Sequence, residues 1–426
     1  MATTAPDRIL ALDVIRGVGV MGIFSVNVIG FAMIESAYFN PAAYGGHSGA
    51  NLALWTANMV LVDGKMRSLF SMLFGASMLL VIERAERSGR SGWWTHFRRM
   101  AVLLGFGLVH YYFIWFGDIL TLYAVSGLIA FACRRMEPEK LIALGAALLA
   151  ANMVLFALFL HGQYLADIAA HSPDASANTL RAWNEGMGSL MPSAAEIARD
   201  KALHLGTYAG YVARNLTHWT SLFNDNLPFI LDTVGLMLLG MAGFKSGFLT
   251  GEWSDSSYRR LAIPALAAGA LAGIATIAYD IASGFYVVGM MSAFIVAETP
   301  FITLMAFGYA ALIVLLSRRN GPLTQRIAAA GRCAFTNYLG TSIIASLVFY
   351  GWGLGLYGSV SRWQAWLLAP VVWAIMLLWS KPWLDRFHYG PFEWAWRSLS
   401  RWKLQPMRKQ TSMPLQAAGR GTAQRS

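Results

Sequence analysis

Charge is what this 426-residue chain has least of: only 13% of its residues are Asp, Glu, Lys or Arg, against 56% hydrophobic. A water-soluble protein of this length would cover its surface with far more charge, so soluble enzyme folds are excluded. The mean hydropathy of +0.48 agrees. Cysteine is nearly absent. Cys133 and Cys333 both fall at helix ends expected to face a reducing cytoplasm, so a disulfide framework is not expected. The eight histidines are scattered, and neither Cys pairs nor an H-E-x-x-H spacing occurs, so no metal site is expected. A cleavable signal is also missing. Residues 1–8 are polar and the apolar run from Ile9 to Ile34 carries no small-residue cleavage pattern, so the first helix is expected to stay as an anchor.

What remains is apolar sequence in blocks near the length of roughly 20 residues that spans a bilayer. About ten helices are expected, centred on about 9–33, 67–83, 99–115, 118–133, 140–161, 222–243, 260–281, 295–317, 333–351 and 363–384. The fold class is therefore all-α, a polytopic membrane protein whose lipid bilayer is its first partner. The net charge of +11 reads as topology and not as nucleic-acid binding. Lys and Arg gather in four short connections, around Arg84–Arg99, Arg134–Lys140, Lys245–Arg260 and Arg318–Arg332, and in the tail from Lys381 onward. The alternate connections near Gly117, 283–294 and 352–362 hold Arg362 alone. By the positive-inside rule both termini lie in the cytoplasm.

The domain plan has four parts. Residues 1–161 form an N-terminal five-helix half, 162–220 an outer segment that is either a cap of short helices or a solvated linker, and 221–405 a C-terminal half. That half ends in an amphipathic stretch, Pro391–Trp402, of the kind that lies on a membrane surface. Residues 406–426 form a basic tail expected to be disordered.

Polar groups inside hydrocarbon cost about 2.5–3.5 kcal/mol each on insertion scales, so those that persist need partners or purposes. Asp13, Arg16 and Asn27 fall within roughly a 60° arc of the first helix. Asp13 and Arg16 are spaced to neutralise each other, a pair that could equally pin helix packing. Lys65 and Arg67 open the second helix, where they either snorkel to headgroups or receive an anion. His110 lies roughly 18 Å along its helix from Arg98, and Asp118 follows the turn at Gly117. A histidine oriented by a carboxylate is the arrangement of a general base; a histidine bonded to a helix carbonyl is the structural alternative. Asp225 and Asp232 enter with the sixth helix, Glu298 opens the eighth, and Arg332, Thr336 and Asn337 open the ninth. Together these groups outline a polar column, which suits a transported solute, a proton relay, or a donor inside meeting an acceptor outside.

Five motifs then stand in order along the chain: R-I-x-A-L-D-x-x-R-G at Arg8–Gly17, G-K-M-R-S-L-F-S-x-L-F-G at Gly64–Gly75, L-V-H…W-F-G-D-I-L-x-L-Y at Leu108–Tyr123, G-R-x-A-x-T-N-Y-L at Gly331–Leu339 and G-P-F-E-W-x-W-R at Gly390–Arg397. They resemble the YeiB-like family of bacterial inner-membrane proteins, which carries domain of unknown function 418. More distantly, D-x-x-R-G with a polar residue eleven positions after the Arg is similar to membrane acyltransferases that modify surface glycans, and to the lysosomal heparan glucosaminide acetyltransferase. The O-acylating relatives have His at the position of Asn27; the lysosomal relative has Asn there and His at the position of Tyr38. This chain departs from both patterns. The resemblance implies acyl-CoA delivered from the cytoplasm to an envelope glycan or lipid acceptor on the far side. In that scheme Arg98 and Arg99 hold the CoA phosphates, His110 with Asp118 is the base, and Asn27 stabilises the thioester oxygen. Lys65 and Arg67 meet an acidic acceptor, while Asp13, Arg16 and Asn337 form the inner part of the binding column. A transporter or permease for a small polar or anionic solute is the alternative.

Overall fold

The computed structural model describes residues 9–187 and 190–409; the far end of the tail expected to be disordered, 410–426, lies outside the described residues. Among the described residues the architecture is all-helical, with one isolated bridge, Phe387 to Arg408. The principal helices are α1 (Leu10–Ala32), α2 (Gly49–Leu61), α3 (Lys65–Arg87), α4 (Gly92–Phe113), α5 (Leu120–Ala130), α6 (Pro138–Ala170), α7 (Ile230–Lys245), α8 (Asp255–Ala282), α9 (Thr299–Ser317), α10 (Pro322–Arg332), α11 (Ala334–Phe349), α12 (Leu368–Arg386) and α13 (Pro391–Arg401).

Seven segments are long and apolar enough to cross a membrane: Leu10–Ala32, Gly49–Arg87, Pro138–Ala170, Ser221–Lys245, Asp255–Ala282, Thr299–Ser317 and Arg362–Arg386. Leu120–Cys133, Val287–Ala297 and Ala334–Phe349 are shorter apolar helices. Each of the ten segments expected from sequence contains helix, but α5 and α11 fall short of a bilayer span. α4, with its two arginines and two histidines, is long yet is not among the seven. Two helices were not expected. α2 is the first part of the Gly49–Arg87 segment, ahead of the helix expected there, and α10 sits in what the charge pattern assigned to a cytoplasmic loop. The expected boundary at 161/162 also moves: α6 continues unbroken to Ala170, and the short helices Ala177–Met187, Ala194–His204 and Tyr208–Thr217 follow it.

We call the end of the bundle where α1 begins proximal and the end where it finishes distal. α1 packs on α3, α10 and α11, while α7 lies between α3 and α6, and α8 pairs with α9. Two of these contacts are backbone against backbone. A Cβ on Gly75 of α3 would overlap the Met237 carbonyl of α7, and one on Gly240 of α7 would overlap the Met72 carbonyl of α3. At the proximal end Gly17 and Gly331 make the same kind of approach, to the carbonyls of Ile327 and Asp13. Without a hydrophobic drive between helices in lipid, such small-residue contacts are how helices gain dispersion energy. The motif glycines thus serve packing.

The amphipathic stretch at the C-terminus forms α13, and its role is more specific than lying on a surface. Glu393 accepts from the backbone N–H groups of Phe335 (2.7 Å) and Thr336 (3.1 Å) and from the Thr336 hydroxyl. It therefore caps the N-terminus of α11, where orphan N–H groups and the helix dipole favour an anion.

Replacing Gly240 by Ala forces α3 and α7 apart and is expected to cost about 1–3 kcal/mol, the usual range for overpacking. Gly105→Ala, on an exposed face of α4 with nothing near its Cβ, should be neutral or stabilising by up to about 1 kcal/mol. Thermal unfolding of the detergent-purified variants separates the two; equal midpoints would refute the close-packing account.

Candidate functional site

A cavity of about 500 Å³ occupies the distal half of the bundle. Its polar wall comes from α1 (Asn27), the segment after it (Glu35, Tyr38), the turn into α3 (Asp63, Arg67), the α4–α5 connection (Asp118) and the segment 224–232 (Asn224, Asp225, Asn226, Asp232). Ile23, Val26, Met66, Phe294, Ile295 and Ile302 make part of the lining apolar. The chamber is thus amphiphilic.

Local structure explains why these groups converge. The helix expected over 222–243 is broken: Ser221–Asn226 is followed by a 3₁₀ turn at Leu227–Phe229, which contains Pro228, before α7 starts. Proline removes a helical donor there and re-aims Asp225 and Asp232. Opposite, Ser292–Ala297 is a π-helical turn ahead of α9, a distortion common at functional sites. The α4–α5 connection folds back on α4, so that Trp115 N–H bonds the His110 carbonyl and Asp118 returns to the His110 ring.

The sequence-derived residues divide. Asn27, Arg67 and Asp118 line the chamber; His110, Lys65, Asp13, Arg16, Asn337, Arg98 and Arg99 are not among its described lining residues. Asn27 makes no side-chain hydrogen bond among the described residues and is half-buried on the chamber wall. His110 is wholly buried behind Asp118, with Nδ1 2.9 Å from Asp118 Oδ1 and Nε2 2.9 Å from the Ser342 hydroxyl. Both ring nitrogens are occupied, which leaves no edge of the imidazole for an acceptor. Asp118 Oδ2 in turn accepts from the Thr121 N–H and hydroxyl, each at 2.8 Å. The group of this dyad that reaches the chamber is the carboxylate.

Lys65 neither snorkels nor meets an anion from outside. Its ammonium is fully buried, 2.6 Å from Glu298 and 2.7 Å from the Met59 carbonyl, because a cation so deep must be paired. Arg67 reaches the chamber but is paired with Asp232 at 2.6 Å. Asp13 and Arg16 form their ion pair at 3.0 Å, and Arg16 also donates to Ser77. Asn337 ties α11 to α10 and α12, donating to the Ala330 carbonyl and accepting from the Trp379 indole. Arg98 is exposed above Trp94, whereas Arg99 stacks on Trp396 at 4.2 Å. At the proximal end Arg397 lies close enough to Arg16, Arg99 and Arg401 for repulsion, and Arg99 is close to Arg401 as well. Burial holds Arg397 below its usual value, and Arg401 and Arg16 add to the effect.

Sequence reasoning missed the lining residues Asp63 and Glu35 and gave Tyr38 no role in the site. Tyr38 donates to Asp63 at 2.7 Å, and Asp63 also accepts from the Gly64 N–H. Glu35 projects into the chamber, reached by water there yet enclosed by protein on all other sides. Burial, then the charges of Asp225 and Asp200, push its carboxyl up to about 7 from an ordinary 4.5, against the lowering effect of Arg214. A signal was present: Glu35 is the lone acidic residue between Asp13 and Asp63. Among the described residues no group of His, Cys, Asp and Glu is arranged to hold a metal ion.

With this geometry in hand, the chain can be set against known proteins. Residues 243–403 match the family described as "Protein of unknown function (DUF418)". The uncharacterized protein YxaH of Bacillus subtilis (strain 168) is 31% identical over 96% of this chain and 98% of its own length. The uncharacterized protein YeiB of Escherichia coli (strain K12) is 30% identical over 92% and 96%. An uncharacterized 39.9 kDa protein of Bacillus acidopullulyticus is 25% identical over 92% and 94%. No solved structure matches.

Removing one partner of the Lys65–Glu298 pair strands a buried charge, so Lys65→Met should destabilise by about 3–5 kcal/mol, and Lys65→Met with Glu298→Met should recover most of that loss. Unfolding midpoints of the two single variants and the double variant test this; a double variant as unstable as the sum of the singles would show that the residues are not a pair.

Proposed function

The chain belongs to the YeiB-like family of proteins of unknown function (DUF418), and we propose that it is a multi-pass inner-membrane acyltransferase whose distal chamber receives the acceptor. In this reading both termini and the proximal end face the cytoplasm, where acyl-CoA docks, and an envelope glycan or lipid enters the chamber from the outer side. The observation that carries the proposal is the division of charge along the bundle. Arg16, Arg99, Arg397 and Arg401 gather at one end, and the chamber toward the other is lined by five carboxylates and a single, already paired, arginine. A polyanionic donor is attracted to the first site and repelled by the second, so the two ends suit different substrates. Exposed Arg98 extends the donor side.

Acyl transfer forms a bond from an acceptor oxygen or nitrogen to the acyl carbon and breaks the carbon–sulfur bond. The acceptor must lose a proton as it attacks, and the leaving thiolate must gain one. Asp118 is the chamber-facing member of the Asp118–His110–Ser342 chain; in this proposal it takes the acceptor proton and returns it to the leaving thiolate, so that the carboxylate is regenerated. His110 acts through Asp118 as a positioning residue, fixing the carboxylate and spreading its charge. Asn27, with a free amide on the same wall, donates to the thioester oxygen as negative charge develops there.

A second reading has one observation in its favour. The broken helix at Pro228 and the π turn at Ser292–Ala297 both line the chamber, and transporters build their sites from such discontinuous helices.

The deciding experiment is thermal unfolding of the purified full chain with acetyl-CoA, longer acyl-CoAs and free CoA, since a ligand of the native state raises apparent stability. A CoA-dependent rise that is lost in Arg98→Gln with Arg401→Gln supports acyl transfer; no rise with any CoA species turns the assignment to transport. Asp118→Asn and His110→Gln should keep the rise yet lower CoA-thiol release by about 10²-fold or more. For topology, cysteines introduced at Asp174 and Arg319 in a chain lacking Cys133 and Cys333 should react with an impermeant reagent in intact cells only at 174. Labelling at 319 would invert the arrangement.

A further inference from the structure

The carboxylates of the chamber are not equally occupied. Asp232 is paired with Arg67, Asp118 is held by His110 and Thr121, and Asp225 accepts from the Tyr111 hydroxyl at 2.7 Å. Asp63 is 9% exposed, and although Oδ1 takes the Tyr38 hydroxyl and the Gly64 N–H, its Oδ2 has no partner. The Glu35 carboxylate is in no hydrogen bond or ion pair among the described residues, although its backbone carbonyl accepts from the Tyr38 N–H. A second lining residue, Trp115, carries a buried indole N–H without an acceptor. Asp63 Oδ2 and the Trp115 indole N–H lie beneath the accessible surface of the wall, so the demand that a solute in the chamber can meet is that of Glu35, for donors and a positive charge.

We infer that the chamber binds a small solute bearing a protonated amine, with Glu35 as the anionic anchor. The inference rests on the reading of the chamber as the acceptor site and names the acceptor's chemical class. An ammonium supplies up to three donors and the missing charge at once; a hydroxyl supplies one donor and no charge, and a phosphate or carboxylate adds repulsion. This reverses the expectation of an acidic acceptor, because the two cations that suggested it, Lys65 and Arg67, are neutralised by Glu298 and Asp232.

The Glu35 carboxyl, raised to about 7 by burial and by Asp225 and Asp200 against Arg214, makes the binding pH-dependent. An ammonium binds the ionised form, which dominates above that value and is lost as pH falls through it. The other charged groups on the lining, Asp63, Arg67, Asp118, Asp225 and Asp232, are each hydrogen-bonded or paired as described, which leaves Glu35 as the lining carboxylate without a side-chain partner. Such an amine occurs both in a soluble amino sugar or amino alcohol and in the ethanolamine headgroup of a membrane lipid.

The test measures the unfolding midpoint of the full chain, in detergent free of phosphatidylethanolamine, against ethanolamine and glucosamine. Ethylene glycol and glucose are the uncharged matches, and glucose 6-phosphate is the anionic one. The amines are expected to raise the midpoint and the others to leave it unchanged. Apparent affinity for ethanolamine should fall about tenfold between about pH 8 and about pH 6, following ionisation of a single group. Glu35→Gln should abolish the amine effect; if that variant does not fold, the pH profile of the native chain decides. Repeating the amine titration in nanodiscs separates the sources. Loss of the effect with phosphatidylethanolamine, and its persistence with phosphatidylglycerol alone, identifies the headgroup; persistence in both identifies a soluble amine. Equal stabilisation by the uncharged matches, an undiminished amine effect in Glu35→Gln, or no effect of any amine in either setting overturns the inference. Should acyl-CoA still stabilise in that last case, the acyl-transfer proposal survives it; amine binding without CoA binding has the opposite meaning.

Discussion

A charge in an apolar interior must be answered by another group, and this requirement organises the protein. Lys65 reaches across more than half the sequence to Glu298, Arg67 to Asp232, and His110 to Ser342. Each contact joins segments that are distant in the chain, and the Lys65–Glu298 pair is the most demanding, because a displaced partner would strand an ion where water cannot reach it. The pairs therefore act as register marks. They also make Glu35 conspicuous, as a carboxylate in the same enclosed region that the fold leaves unanswered.

Close backbone packing supplies what the ion pairs do not. Gly17 and Gly331, from motifs at opposite ends of the sequence, bring α1 and α10 together beside the Asp13–Arg16 pair. Glu393, from the last motif, caps the helix that carries Asn337 and Ser342. Motif residues that look catalytic in a one-dimensional reading thus include several whose work is to hold helices at fixed separation, so that Asp118 and Asn27 face one chamber.

The chamber combines a broken helix, a folded-back connection and a π turn, three irregularities that a regular helix bundle would not tolerate in lipid. They are tolerated because they line a cavity wide enough for water, where freed backbone groups can be solvated. Polar division along the bundle follows: cations where α13 returns to α4, carboxylates where the chain turns at the other end. That asymmetry, more than any single residue, is what the acyl-transfer proposal rests on.

The all-helical class and the positions of the ten expected segments were legible in the sequence, since hydrophobic blocks of bilayer length and their charged connections are local properties. So were the Asp13–Arg16 pair, three residues apart on one helix, and the contact of Asp118 with His110 across a short turn. Partnerships between distant segments were not legible. Whether Lys65 met a headgroup, a substrate or Glu298 depended on where the turn before α9 came to rest, and whether His110 faced a ligand depended on Ser342 of α11. Glu35 was visible as a lone acid, but its environment is built by Asp225, Asp200 and Arg214 from segments more than 160 residues away. Local sequence thus determined which residues would be helical and which charges would need answering, while tertiary packing alone decided which answered which, because Coulombic pairing acts across space and not along the chain.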